Sequence, residues 1–112
     1  MSQIPADFQR LQAMQADLME RLARVRGDLH RVDAPVSADF EEQAAELENE
    51  PVLEALEHAM VTDLAQVNRA IERFRNGVYA LCERCGGRIE PARRQVFPDA
   101  TLCTRCIRRG PA

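Results

Sequence analysis

The sequence predicts a mainly α-helical chain. A long antiparallel helical hairpin comes first, then a small domain drawn together by four cysteines, then a short C-terminal helix. Three observations carry this. Two stretches repeat apolar residues at steps of three and four, with Pro35 between them. Aromatic residues are scarce and Trp is absent, while Glu, Ala, Leu, Arg and Gln abound, which suits narrow helical seams better than a thick core. All the cysteines fall in two C-x-x-C pairs, Cys82-Glu83-Arg84-Cys85 and Cys103-Thr104-Arg105-Cys106. A chain of 112 residues has room for one domain, or for one small domain with an extension.

The first arm runs from Asp7 to Val32. Phe8, Leu11, Leu18, Leu22, Val25, Leu29 and Val32 form a coiled-coil seam, widened by Met14 and Met19, with Gln15 as its polar position. The arm is about 40 Å long. Gly27 lies inside it without a reason visible in the sequence. Asp33-Ala34-Pro35-Val36-Ser37 ends the arm, because Pro35 cannot continue a helix and biases Ala34 towards extended backbone.

The second arm runs from about Ala38 to Arg75, with Ser37 or Asp39 as its cap. Its seam is Leu53, Leu56, Met60, Leu64, Val67, Ile71 and Phe74, extended by Ala44 and Leu47. Pro51 predicts a kink near 47–51, or a fresh helix capped by Asn49. Asn76-Gly77 predicts the C-terminal cap. Counting outward from the turn places Leu18 opposite Leu53, Leu11 opposite Met60, and Phe8 near Asp63 and Leu64. Ile71 and Phe74 are then left to pack on the cysteine end with Tyr79, Ile89, Phe97 and Leu102. The predicted domains are a hairpin over 1–76, with its tip near 33–44, and a cysteine domain over 77–112.

Cys82, Cys85, Cys103 and Cys106 have the spacing of a tetrahedral zinc site. Gly86-Gly87 follows the first pair, where a tight knuckle needs backbone freedom. Two redox pairs, two local disulfides, or iron in the same thiolate cage are the alternatives. The strand-to-helix context of a redox C-x-x-C is missing. Four sulfur ligands leave no open position for water or substrate, which points to one structural ion and away from an enzyme.

Net charge is −3, so the whole chain is no obvious polyanion binder. Charge is nevertheless divided. Asp39, Glu41, Glu42, Glu46, Glu48, Glu50, Glu54 and Glu57 crowd the turn-proximal second arm, about 45 Å along the rod from the cysteines. Such a tip suits a basic or metal-containing cavity. Arg84, Arg88, Arg93, Arg94 and Arg105, with Arg108 and Arg109, surround the cysteines and form a candidate basic patch for a partner. No apolar run is long enough to span a bilayer and no leader precedes the first arm, so a cytoplasmic chain with reduced thiols is expected.

These residues resemble the DksA/TraR family of zinc-finger transcription regulators. The resemblance runs through Gly77, Tyr79, Cys82, Cys85, Gly86 and Ile89, then Arg93, Pro98, Ala100, Cys103 and Cys106. Ala80 stands where the family usually has glycine, and Arg94 where it buries a leucine. The resemblance implies a monomeric regulator that binds bacterial RNA polymerase rather than promoter DNA, its hairpin tip entering the secondary channel. It implies tip residues Asp39, Glu42 and Ala44, with Glu42 in place of a second Asp. Family members that respond to guanosine tetraphosphate carry basic residues where this chain has Gln66, Phe97 and Ile107, so weak or absent coupling to that alarmone through this site is expected. Rival readings are a zinc-stapled coiled-coil adaptor for another protein, and a nucleic-acid binder acting through the arginine-rich knuckle.

Overall fold

The computed structural model describes residues 4–32 and 40–110, with side chains for 5–29 and 50–110. Four helices follow one another: α1 (Ile4–Val32), α2 (Phe40–Arg75), α3 (Pro91–Val96) and α4 (Thr104–Arg109). The only β pairing among the described residues is a single antiparallel bridge between Leu81 and Arg88. The chain packs as two compact units, one of residues 1–16 and 65–112, the other of 17–64. The ends of α1 and α2 that lie in the first unit therefore pack with the cysteine-bearing segment.

Apolar spacing explains the burial along both long helices. In the first unit Leu11, Val67, Ala70 and Ile71 are buried, and in the second Leu22 and Val25 of α1 pack with Met60 of α2. Full burial of one such leucine contributes about 1.5–3 kcal/mol. Leu56, expected in the seam, is exposed, as is Met19. Gln15, the polar seam residue, donates from Nε2 to Asn68 Oδ1 at 2.7 Å.

The pairing differs from the one counted outward from Pro35. Met60 shares its cluster with Leu22 rather than Leu11, eleven residues along α1 and about three helical turns away. Leu53 packs on that same cluster, and Arg26 Nε lies 3.4 Å from Glu57 Oε2. In the first unit Phe8 stacks on Phe74 with ring centroids 4.3 Å apart, not beside Asp63 and Leu64. The physical reason is that three whole turns return a helix to the same face. Apolar periodicity therefore fits both alignments, and the polar and aromatic pairs distinguish them.

Helix α2 continues through Pro51 without a fresh start at Asn49. Pro51 is exposed, so water can satisfy the carbonyl freed by its missing N–H. The end of α2 forms as its sequence suggests. Gly77 takes φ 76°, its N–H donates to Phe74 O, and Val78 N–H donates to Arg73 O, both at 3.0 Å. This is a Schellman cap, which satisfies carbonyls that a helix end leaves open.

Candidate metal centre

The first pair of cysteines sits on a short hairpin. Cys82 N–H donates to Gly87 O at 2.7 Å, Gly86 N–H to Cys82 O at 3.0 Å, and Ile89 N–H to Ala80 O at 2.8 Å. Gly86 adopts φ 75°, a conformation that costs an L-residue about 1–2 kcal/mol, so the tight turn selects glycine there. Ala80 shows no such strain: no described non-glycine residue has positive φ. The second pair is built differently. Cys103 is the N-cap residue of α4 and Cys106 lies in its first turn, so a helical step brings both sulfurs to one side.

All four sulfur atoms lie within 4.8 Å of one another. Cys85 Sγ and Cys103 Sγ, one from each pair, are 3.8 Å apart. A tetrahedron of thiolates about 2.3 Å from zinc has edges of about 3.8 Å, so the cage fits one zinc ion with no position left open. Cys82, Cys103 and Cys106 are buried with Ile89 and Ala100, and Leu102 packs against them, while Cys85 is exposed. Burial opposes ionisation of Cys82, but hydrogen bonds from the backbone at Cys103, Cys85 and Arg84 and from the Cys106 thiol outweigh it and bring Cys82 down to about 6. Burial and the neighbouring thiols push Cys106 up to about 12. A bound cation would favour the thiolate form of its ligands.

Polar links tie the two cysteine pairs together independently of sulfur. Arg84 Nη1 donates to Cys106 O at 3.0 Å and Gly110 O at 2.7 Å, at the end of α4. Glu90 accepts from Thr104 N–H and Oγ1 at 3.3 and 3.1 Å, and backbone hydrogen bonding holds its carboxyl below the usual range. Glu83 N–H donates to Thr101 O, and Thr101 Oγ1 donates back to Glu83 Oε1 at 2.9 Å. Helix α2 joins this net. Arg69 Nε donates to Glu83 Oε2 at 2.7 Å, and Gln66 Nε2 to Asp99 O at 2.7 Å. Tyr79 is buried, with its hydroxyl donating to Pro98 O at 2.6 Å and its ring edge-on to Phe74.

The candidate basic patch divides under this geometry. Arg84 is engaged by α4, Arg93 Nε donates to Leu102 O at 2.9 Å, and Arg94 forms a buried ion pair with Asp7 at 3.3 Å. These three hold the fold. Arg88 and Arg105 are exposed and remain available. Arg94 is mostly buried, and Asp7 answers its charge. Sequence reading missed that pair, although Asp7 stands four residues before Leu11 on the apolar stripe, which is the signal of a buried charge. Phe97, expected in the core, is 52% exposed and stacks under the Arg93 guanidinium. Of the expected tip residues, Asp39 lies outside the described residues, and Glu42 and Ala44 lie on α2 where side chains are not described.

Residues 8–74 match the family described as DnaK suppressor protein-like, N-terminal domain, and residues 77–109 match the prokaryotic dksA/traR C4-type zinc finger. An uncharacterised protein of Aquifex aeolicus (strain VF5) is 26% identical over 100 residues, covering 88% of this chain and 69% of that protein. Protein TraR of Escherichia coli (strain K12) is 40% identical over 50 residues, 45% of this chain and 67% of that protein. The structure of transcription factor DksA2 from Pseudomonas aeruginosa superposes with a TM-score of 0.80 at 25% identity, covering 96% of this chain and 81% of that one. With a family match over most of its length and a four-sulfur cage at the zinc-finger positions, this chain belongs to the DksA/TraR family.

Proposed function

We propose that this chain regulates transcription initiation by binding RNA polymerase, with its hairpin in the secondary channel and no chemistry of its own. The observation that carries this is the joint match of hairpin and zinc finger, reinforced by likeness to a DksA-type transcription factor over nearly the whole chain. In this reading Cys82, Cys85, Cys103 and Cys106 hold one structural zinc. The finger over 77–112 and the base of the hairpin over 1–76 dock on the polymerase, and Asp39, Glu42 and Ala44 act at the tip. The chain works as a cytoplasmic monomer and alters the lifetime of polymerase–promoter complexes.

Alarmone coupling through the family's basic site is absent in this reading. Gln66 spends its amide on Asp99 O and Thr101 Oγ1, and Phe97 and Ile107 offer no charge to a phosphate. Co-purification with core polymerase and a run-off transcription assay test the proposal together. Asp39→Asn keeps polymerase binding and loses the transcriptional effect. Failure of the parent chain to recover polymerase subunits refutes the reading and favours an adaptor for another protein.

A further inference from the structure

We propose that Arg93 and Arg94 are positioning residues of the metal centre, and that Arg94, through Asp7, couples zinc occupancy to the docking of the first turns of α1. The starting observation is that α3 has no buried residue. Its apolar contribution to packing is slight, so its charged side chains must hold it. Arg93 reaches Leu102 O, the carbonyl just before Cys103, at 2.9 Å. Arg94 Nε reaches Ile89 O at 3.5 Å, and Ile89 is packed among the metal-binding cysteines. The same guanidinium donates from Nη1 to Asp7 Oδ2 at 3.3 Å. Adjacent residues of one short helix therefore grip both halves of the cage and the beginning of α1.

The pair that joins α1 to α3 is shielded from solvent. The Asp7 and Arg94 side chains are 5% and 11% exposed, and Arg10 offers Asp7 a second cation at 3.8 Å. Phe8 stacks on Phe74 and Leu11 is fully buried beside this site in sequence. A buried carboxylate that loses its nearer cation is left unfavourable, because the more exposed Arg10 at 3.8 Å compensates it only in part, whereas replacing both partners by apolar groups is often neutral. Any shift of α3 that follows loss of the cage moves Arg94 away from Asp7 and releases α1. By linkage the effect runs both ways: weakening the Asp7 contact loosens α3 and lowers the affinity of the cage.

The experiment uses the full chain, with zinc affinity measured by competition against a chromophoric chelator. Amide hydrogen exchange over residues 5–16 is followed with and without zinc. Arg94→Leu weakens zinc binding on the order of tenfold, the size seen when groups that orient metal ligands are lost. Arg93→Met, which leaves α1 contacts intact, weakens zinc binding as well. The double variant Asp7→Leu/Arg94→Leu recovers part of the lost affinity, since the unpaired carboxylate is gone while the Ile89 contact stays missing. Asp17→Asn, in an exposed pair with Arg21, changes nothing. Stripping zinc from the parent speeds exchange over 5–16. If Arg94→Leu does not fold, the recovery in the double variant and the Arg93→Met titration decide the matter. Unchanged zinc affinity in Arg93→Met and Arg94→Leu, or exchange over 5–16 that ignores zinc, overturns the proposal.

Discussion

Tyr79 offers an unusually clean test of the packing around the finger. It is the single tyrosine, and the 15 basic residues are all arginine. No lysine titrates between pH 9 and 12, arginine stays charged there, and zinc-held thiolates have no proton to lose. Burial, then the carboxylate of Asp7, raise the Tyr79 phenol to about 12, with Arg94 and Arg10 pulling the other way. The folded state thus holds this proton more tightly than the unfolded chain, whose tyrosine titrates near the usual 10. Its stabilising contribution is complete below about pH 10 and is lost as pH rises towards about 12. Two units of difference correspond to about 3 kcal/mol at most. Tyr79→Phe should also cost about 1–2 kcal/mol at neutral pH, because Pro98 O loses its buried partner. The assay is urea unfolding of parent and variant at intervals from pH 7 to pH 11.5, alongside the phenolate absorbance of the folded parent. Between pH 7 and about 9 both proteins should gain stability alike, as the thiols released on unfolding lose their protons; above pH 10 the parent should lose stability while the variant stays nearly flat. A phenolate that appears near pH 10 in the folded protein, or an equal alkaline loss in Tyr79→Phe, refutes the argument.

Three further outcomes follow from the same structure. Gly27→Ala should raise stability by up to about 1 kcal/mol in denaturant unfolding, since the added methyl meets nothing within 4 Å and alanine is the better helix former. Pro51→Ala restores a backbone hydrogen bond inside α2 and should stabilise the chain by about 1–3 kcal/mol, read as a higher urea midpoint. Cys103→Ser removes a ligand from the cage; elemental analysis should find less than stoichiometric zinc, and thermal unfolding should show the first unit melting early.

Much of this was legible in the chain itself. The cysteine spacing specifies the cage because each pair is a local structure, a glycine-turned knuckle in one case and a helical step in the other. The Asn76-Gly77 cap was legible for the same reason: its hydrogen bonds join residues close in sequence. The arm pairing was not, since Leu11 and Leu22 lie on the same face of α1 and only pairs such as Arg26–Glu57 and Gln15–Asn68 select one alignment. Charge alone also does not show that Arg93 and Arg94 have partners within the fold. A run of arginines looks like a binding surface until the carbonyls and the carboxylate that claim them are seen, and those come from distant parts of the chain. Pro51 lies inside a continuous helix: propensity weighs the proline alone, while the helix runs on for many residues to either side of it.

The three-turn ambiguity of the helical pairing has a consequence for how such a hairpin changes length. A seam of repeating apolar residues acts as a ratchet: segments of whole turns can be gained or lost in each arm while the same face keeps meeting its partner. A change of one residue instead rotates everything beyond it by about 100°. Pairs such as Gln15–Asn68 and Arg26–Glu57 are the index marks of that ratchet, since they match at one setting only. Reach can therefore be adjusted in discrete steps near the turn while the metal-bearing base is left untouched.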